Sequence, residues 1–179
     1  MQVMGITGMP GSGKSLVSEI AEERGALIVS MGDIVREEAK KRGEGSKETA
    51  KNLRKEFGEY VVAERTIEKI KHLEEEGVEN PIVVEGIRSN HEVDMFKENF
   101  ENFIILSIFA NAELRFKRLQ NRNREDDSQD YAGFAKRDNT ELGFGIGSVI
   151  ALSDKMIINE SDLESCKQKI NEYFEEIDL

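Results

Sequence analysis

The stretch TGMPGSGKS, Thr7–Ser15, decides the fold. It sets Gly8, four residues, then Gly13, Lys14 and Ser15 directly behind a short, mostly apolar run, Gln2–Thr7, and ahead of Leu16, Val17, Ile20 and Ala21 at helical spacing, a pattern that Gly25 ends. Strand, glycine loop and helix in that order form a phosphate cradle. Gly8, Gly11 and Gly13 let the loop bend, with Ser12 between them, so that successive backbone N–H groups face inward, and the helix beginning near Lys14 adds its positive dipole end. Lys14 then reaches the β- and γ-phosphates of a nucleotide, and the Ser15 hydroxyl is placed to ligate Mg²⁺.

Working outward, Ala26–Val29 reads as a second strand, and Asp33–Arg42 as a helix rich in charge and alanine. Gly43–Gly45 breaks it. Ser46–Gly77 then carries Val62, Ile67, Ile70 and Leu73 as a core-facing stripe interrupted near Gly58, the pattern of a helical hairpin. Pro81–Glu85 and Asn102–Phe109 are continuous apolar runs, as expected of parallel strands covered on both faces. Lys155–Ile158 is the last strand. After it, Ser161 with Glu164 three residues on fits a capping box opening a helix that buries Leu163, Ile170, Phe174 and Ile177. The alternation predicts a three-layer α/β/α fold around a five-stranded parallel sheet, with ligands at the carboxyl ends of the strands. Residues 1–179 make one domain, with 43–80 as a helical insertion over an acceptor and 122–147 as a short lid and hinge.

The composition narrows the function. A net charge of -11 argues against broad nucleic-acid binding, whose affinity comes from lysine and arginine displacing counterions. The longest mainly apolar run, Phe103–Ala110, is far below the ~20 residues of a membrane-spanning helix, and the first residues lack the regions of a signal peptide, so a cytoplasmic location without membrane contact is expected. The single Cys166, with His72 and His91, forms no triad and no metal spacing. The glycines of Gly143–Gly147 read as a hinge or turn. Charge alone leaves the oligomeric state open.

The acceptor is where the residues become informative. Asp33 and Arg36 follow the second strand about one helical turn apart, and Glu85 closes the third strand where a carboxylate can hold a metal's water shell. Arg88 lies just beyond it. Guanidinium forks at 36 and 88 converging on one cleft would suit a phosphate-bearing acceptor; Arg36 also fits a solvated helix face among Glu37, Glu38, Lys40 and Lys41. Arg118 and Arg122, four apart, share a helical face, and Arg124 follows, ahead of a charged segment that reads equally as lid or idle loop.

With these motifs the sequence resembles the adenylate-kinase-like nucleoside monophosphate kinases, and more closely an archaeal branch of P-loop kinases related to them. GMPGSGKS resembles the phosphate loop, SMGDIVR the segment after the second strand, EGIR the one after the third, and RLQNR with REDD the lid. The likeness implies ATP and Mg²⁺ as cofactors, with Arg36 and Arg88 on the acceptor's phosphate, Arg122 and Arg124 on the transferred group, and Arg118 flanking the donor base. The tail ALSDKMIINESDLE looks more like dephospho-coenzyme A kinases, in which the aspartate matching Asp33 acts as base toward a sugar hydroxyl. Three readings follow: a kinase for nucleoside monophosphates, a kinase for a hydroxyl acceptor with Asp33 as base, and a nucleotide-dependent switch or assembly ATPase without a small acceptor.

Overall fold

Strand β1, Val3–Thr7, is buried along its whole length and sits at the centre of a parallel sheet. The computed structural model describes residues 1–122 and 129–179. In them β1 is followed by α1 (Lys14–Glu23), β2 (Leu27–Ser30), α2 (Met31–Arg42), α3 (Ser46–Phe57), α4 (Val61–Glu75), β3 (Ile82–Glu85), α5 (Asn90–Asn99), β4 (Ile104–Phe109), α6 (Ala112–Arg122), α7 (Tyr131–Phe144), α8 (Ile146–Ala151), β5 (Lys155–Ile158) and α9 (Leu163–Glu176). The order across the sheet is β2-β3-β1-β4-β5, with every pair parallel. Chain order therefore reverses beside β1, at the point where the glycine loop leaves the sheet, and such switch points open a crevice for ligands.

Alternation along the strands divides the core between the two faces. Val3, Ile82, Val84 and Ile105 pack with Leu53, Ile67, Ile70 and Phe96 of the helices on one side. Met4, Ile6, Leu106 and Ile108 meet Val17 and Ile20 of α1 and Ile170 and Phe174 of α9 on the other. Both faces are covered, which is why these strands read as unbroken apolar runs.

Several expectations are met closely: the helical hairpin appears as α3 and α4, and the last strand matches residue for residue. The capping box at Ser161 is not what opens α9. Asp162 is the cap, its carboxylate accepting from the Ser165 amide at 2.9 Å, and Leu163, predicted inside, is 56% exposed because it occupies the first turn beyond the sheet. A complete capping box instead starts α5, between Ser89 and Glu92. The segment around Gly145 is a junction of two helices: Gly145, at φ 101°, ends α7 and opens α8. Among the described residues no helix is long and apolar enough to cross a membrane.

Candidate active site

Neighbouring atoms press closely on the glycine loop behind its cavity. A side chain at Gly8 would lie 2.5 Å from the Ile108 carbonyl oxygen and 2.6 Å from Ser12 Oγ, and one at Gly13, whose φ is 108°, would collide with the Asn159 amide. Glycine is required at both. The Ser12 carbonyl accepts from Asn159 Nδ2 at 2.9 Å and from Arg118 at 3.4 Å, and Arg118 also donates to the Asn159 carbonyl at 3.0 Å. The loop is thereby tied to the end of β5. Ser12 Oγ is buried without a hydrogen-bond partner, a polar group with unused capacity inside the cradle.

Lys14, the first residue of α1, bends back so that its ammonium donates to the Gly8 and Met9 carbonyls at 2.6 and 3.3 Å. Burial pushes its pKa down to about 8, while the charges of Glu141 and Glu85 act the other way. Glu85, ending β3, accepts from the buried Ser18 hydroxyl of α1. Ser15 and Glu85 both line the cavity over the loop. That hydroxyl and carboxylate are the donor set that suits Mg²⁺ beside phosphate oxygens. No trio of histidine, cysteine or carboxylate side chains among the described residues could hold an ion alone, so a cation here would lean on the phosphates for its remaining ligands.

The cavity measures about 370 Å³, and among the described residues five cationic side chains line it: Lys14, Arg88, Arg118, Arg122 and Arg137. Among the described residues the carboxylates facing them are Glu85 and Glu141. In a chain of net charge -11 this is the local cluster that an anion needs. A smaller hollow of about 120 Å³ adjoins it, walled by Arg54, Glu59 and Tyr60 of the helical insertion and by Gly143 and Phe144 of α7. Arg88 lines both. Arg54 and Arg88 each lie over the Phe144 ring, at 6.0 and 5.5 Å, and Tyr60 stacks on His91 at 3.9 Å.

Lys14, Ser15, Glu85, Arg88, Arg118 and Arg122 line one cavity, but Asp33 and Arg36 are not among its lining residues. Arg36 does not converge with Arg88 on the cavity. Arg36 is 59% exposed and donates from Nε and Nη2 to Asp33 Oδ1 at 2.9 and 2.6 Å, so each satisfies the other one turn apart on α2. Arg124 lies outside the described residues. His72 lies beside the exposed Glu75 and Glu76 at the end of α4, and Cys166 is buried in the core.

Helix α7 supplies what the sequence reading lacked. Arg137, Glu141 and Phe144 fall at helical spacing along one side and face the two hollows. Phe134 and Asp138 form another stripe, which meets α6. There the buried Arg115 makes a two-pronged pair with Asp138 at 2.8 and 2.6 Å and also donates to the carbonyls of Pro10 and Ala110, both at 3.1 Å. One guanidinium thus joins the phosphate loop, the end of β4 and α7. The 3.6-residue pattern of these polar positions was the available signal; apolar periodicity, with Phe134 the sole buried residue of α7, was silent.

The sheet order, the glycine cradle and its cationic rim define a P-loop kinase-like α/β protein, and a family model described as an AAA domain matches residues 7–132. At finer grain the chain belongs to the UPF0200 family. It is 52% identical to a UPF0200 protein of Methanothermobacter thermautotrophicus, over 94% of this chain and 87% of the relative, and 44% identical to one of Methanocaldococcus jannaschii, over 99% and 91%. Among solved structures it resembles TT1252 from Thermus thermophilus (TM-score 0.66, 16% identity, 98% of this chain and 97% of that one) and shikimate kinase from Bacteroides thetaiotaomicron (TM-score 0.63, 12% identity, 99% of each). At those identities the likeness is one of fold.

Proposed function

We propose that this protein is a small-molecule kinase that transfers the γ-phosphoryl group of ATP to the phosphate of a nucleoside monophosphate. The observation that carries the reading is Arg88, which lines both the cavity over the phosphate loop and the neighbouring hollow under the helical insertion. A single guanidinium at the boundary serves a donor on one side and an acceptor on the other. The aromatic Tyr60 and Phe144 and the second guanidinium of Arg54 suit a planar group bearing an anion.

In this reading an acceptor phosphate oxygen attacks the γ-phosphorus, the new P–O bond forms as the bond to the β-phosphate oxygen breaks, and ADP leaves. No covalent intermediate on the protein is needed, so catalysis is position and charge. The loop amides and Lys14 would hold the triphosphate, Arg122 and Arg137 of the cavity lining would neutralise transferred charge, and Ser15 with Glu85 would hold Mg²⁺, which neutralises phosphate charge when bound. Asp33, outside the cavity and paired with Arg36, would orient α2. It would not take a proton.

A second reading is favoured by one finding. A further structural neighbour is a shikimate kinase from Acinetobacter baumannii in complex with shikimate (TM-score 0.59, 14% identity), so the same fold serves a hydroxyl acceptor. In that case Asp33 would turn inward as general base. A panel of nucleoside monophosphates, dephospho-coenzyme A, shikimate and water, scored for ATP consumed and phosphorylated product, tests both. Product from a monophosphate far above hydrolysis, with Asp33→Asn losing only part of the rate, is the expected result. Near-complete loss in Asp33→Asn selects the hydroxyl acceptor. Hydrolysis alone would overturn transfer and leave the switch.

A further inference from the structure

Helix α3 has two faces of different use. Thr49 and Leu53 are buried, while Lys47, Lys51 and Lys55 are exposed and recur every four residues. At about 100° of turn per residue, Arg54 falls on the side of these lysines, all four within an arc of roughly 100°. Arg54 is also a wall of the smaller hollow, so the row of cations runs along α3 and ends at that opening. The three lysine side chains make no ion pair or hydrogen bond with any described residue. Of the acids on α3, Glu56 is taken up by Arg42 at 2.9 and 3.0 Å. Glu48 on the helix and Glu59 at the hollow are then the carboxylates set against four cations on this segment.

Resting on the reading of the smaller hollow as the acceptor's, we propose that the exposed face of α3 is an anion-guiding surface: Lys47, Lys51 and Lys55 draw in the phosphate of the acceptor and pass it to Arg54. A chain of net charge -11 as a whole repels an approaching anion, so capture needs a local path of the opposite sign. Lysine suits that task. Its ammonium is a hydrated point charge on a flexible stem, which attracts a phosphate without clasping it, whereas the planar fork of Arg54 can hold one at the end of the path. Attraction that acts before contact raises the association rate and leaves dissociation nearly unchanged once the ligand is seated. It is also screened by salt. The Debye length falls from ~30 Å at 0.01 M ionic strength to ~3 Å at 1 M, well short of the ~12 Å that separates Lys47 from Lys55 along the helix axis.

The test is stopped-flow capture of anthraniloyl-labelled adenosine monophosphate by the full chain, with the larger cavity filled by a non-hydrolysable ATP analogue and labelled adenosine as the uncharged comparison. In the triple variant Lys47→Gln, Lys51→Gln, Lys55→Gln, the association rate constant for the monophosphate should fall about fivefold at 0.01 M ionic strength and match the wild type at 1 M. Dissociation, and capture of labelled adenosine, should be the same in both proteins. Arginine at the same three positions keeps the charge and should keep the wild-type rate, which separates charge from any effect of the substitutions on folding. An unchanged association rate in the glutamine variant, a loss that persists at 1 M, or a loss carried by dissociation would each overturn the guide. If the variant captures slowly while the acceptor panel yields no product, the transfer reading fails and the guide stands. If a monophosphate gives product and capture is unaltered, the guide alone fails; a wild type that does not capture the labelled monophosphate overturns both.

Discussion

Lys14 combines a charge the ligand needs with a place that disfavours charge. Burial lowers its pKa from the ordinary lysine value of 10.5 to about 8. The cost of keeping the ammonium charged is fully present below about pH 8 and is relieved as pH rises toward the unfolded value. Folded stability should therefore rise across that window relative to Lys14→Met, as urea titrations at several pH values would show. A bound polyphosphate favours the charged form, so nucleotide affinity should fall as pH rises through about 8. Binding should then take up a proton, measurable by calorimetry in buffers of different ionisation heat; constant affinity across this range would rule out an uncharged Lys14. Arg88 and Arg36 make a second contrast. Arg88→Gln should lower kcat/KM for the acceptor by roughly a hundredfold, the loss of a charge-assisted bidentate contact, whereas Arg36→Gln, already satisfied by Asp33, should cost less than about threefold. Equal losses would place Arg36 in the closed site after all. The glycine loop was legible because its residues are consecutive and each one's role is local. The partnership of Arg36 with Asp33 was misread because spacing brings two side chains to one end of a helix without saying whether they face a ligand or each other.

Helix α7 shows what an apolar pattern cannot report. It buries Phe134 alone, and its place depends on aromatic contacts with Phe116 and on the Arg115–Asp138 pair. Removing one partner of a shielded pair leaves the other charge stranded, at a cost of about 3 kcal/mol or more. Asp138→Ala should lower the melting temperature by roughly 8 °C in a chain of this size. It should also reduce nucleotide affinity, because Arg115 donates to the Pro10 carbonyl of the phosphate loop. A variant with a lower melting temperature and unaltered affinity would show that the strut serves α7 only. By contrast α4, with Val62, Ile67 and Ile70 facing the core, was visible in the sequence because burial repeats with the turn of the helix. The same reasoning explains α5. Its start is written locally, as Ser89 and Glu92, and Ser89→Ala should cost about 1 kcal/mol.

Across the molecule the two hollows differ in readiness. The cavity over the loop, about 370 Å³, falls within the usual range for a small-molecule site of ~300–1,000 Å³, whereas the neighbouring hollow, about 120 Å³, is smaller than that range. Its walls come from the insertion, through Arg54 and Tyr60, and from α7, through Phe144. The parallel sheet and its layers were readable as a class from the alternation of runs, yet the strand order and this second hollow were not, since the hollow arises only where residues more than eighty positions apart are folded against each other. With α7 tied to α6 by Arg115, the proposed acceptor would gain room by movement of the insertion, α3 with α4. Spin labels at Lys51 on α3 and Asn139 on α7, both exposed, would report this by electron–electron distance measurement. The distance should be unchanged by a non-hydrolysable ATP analogue alone and should shift by several Å, roughly the scale of a loop or domain rearrangement on binding, when a nucleoside monophosphate is added. A shift with the analogue alone would couple the insertion to the phosphate loop instead of the acceptor. No shift with both ligands would mean that the acceptor lies elsewhere, and that Arg88 serves the donor only.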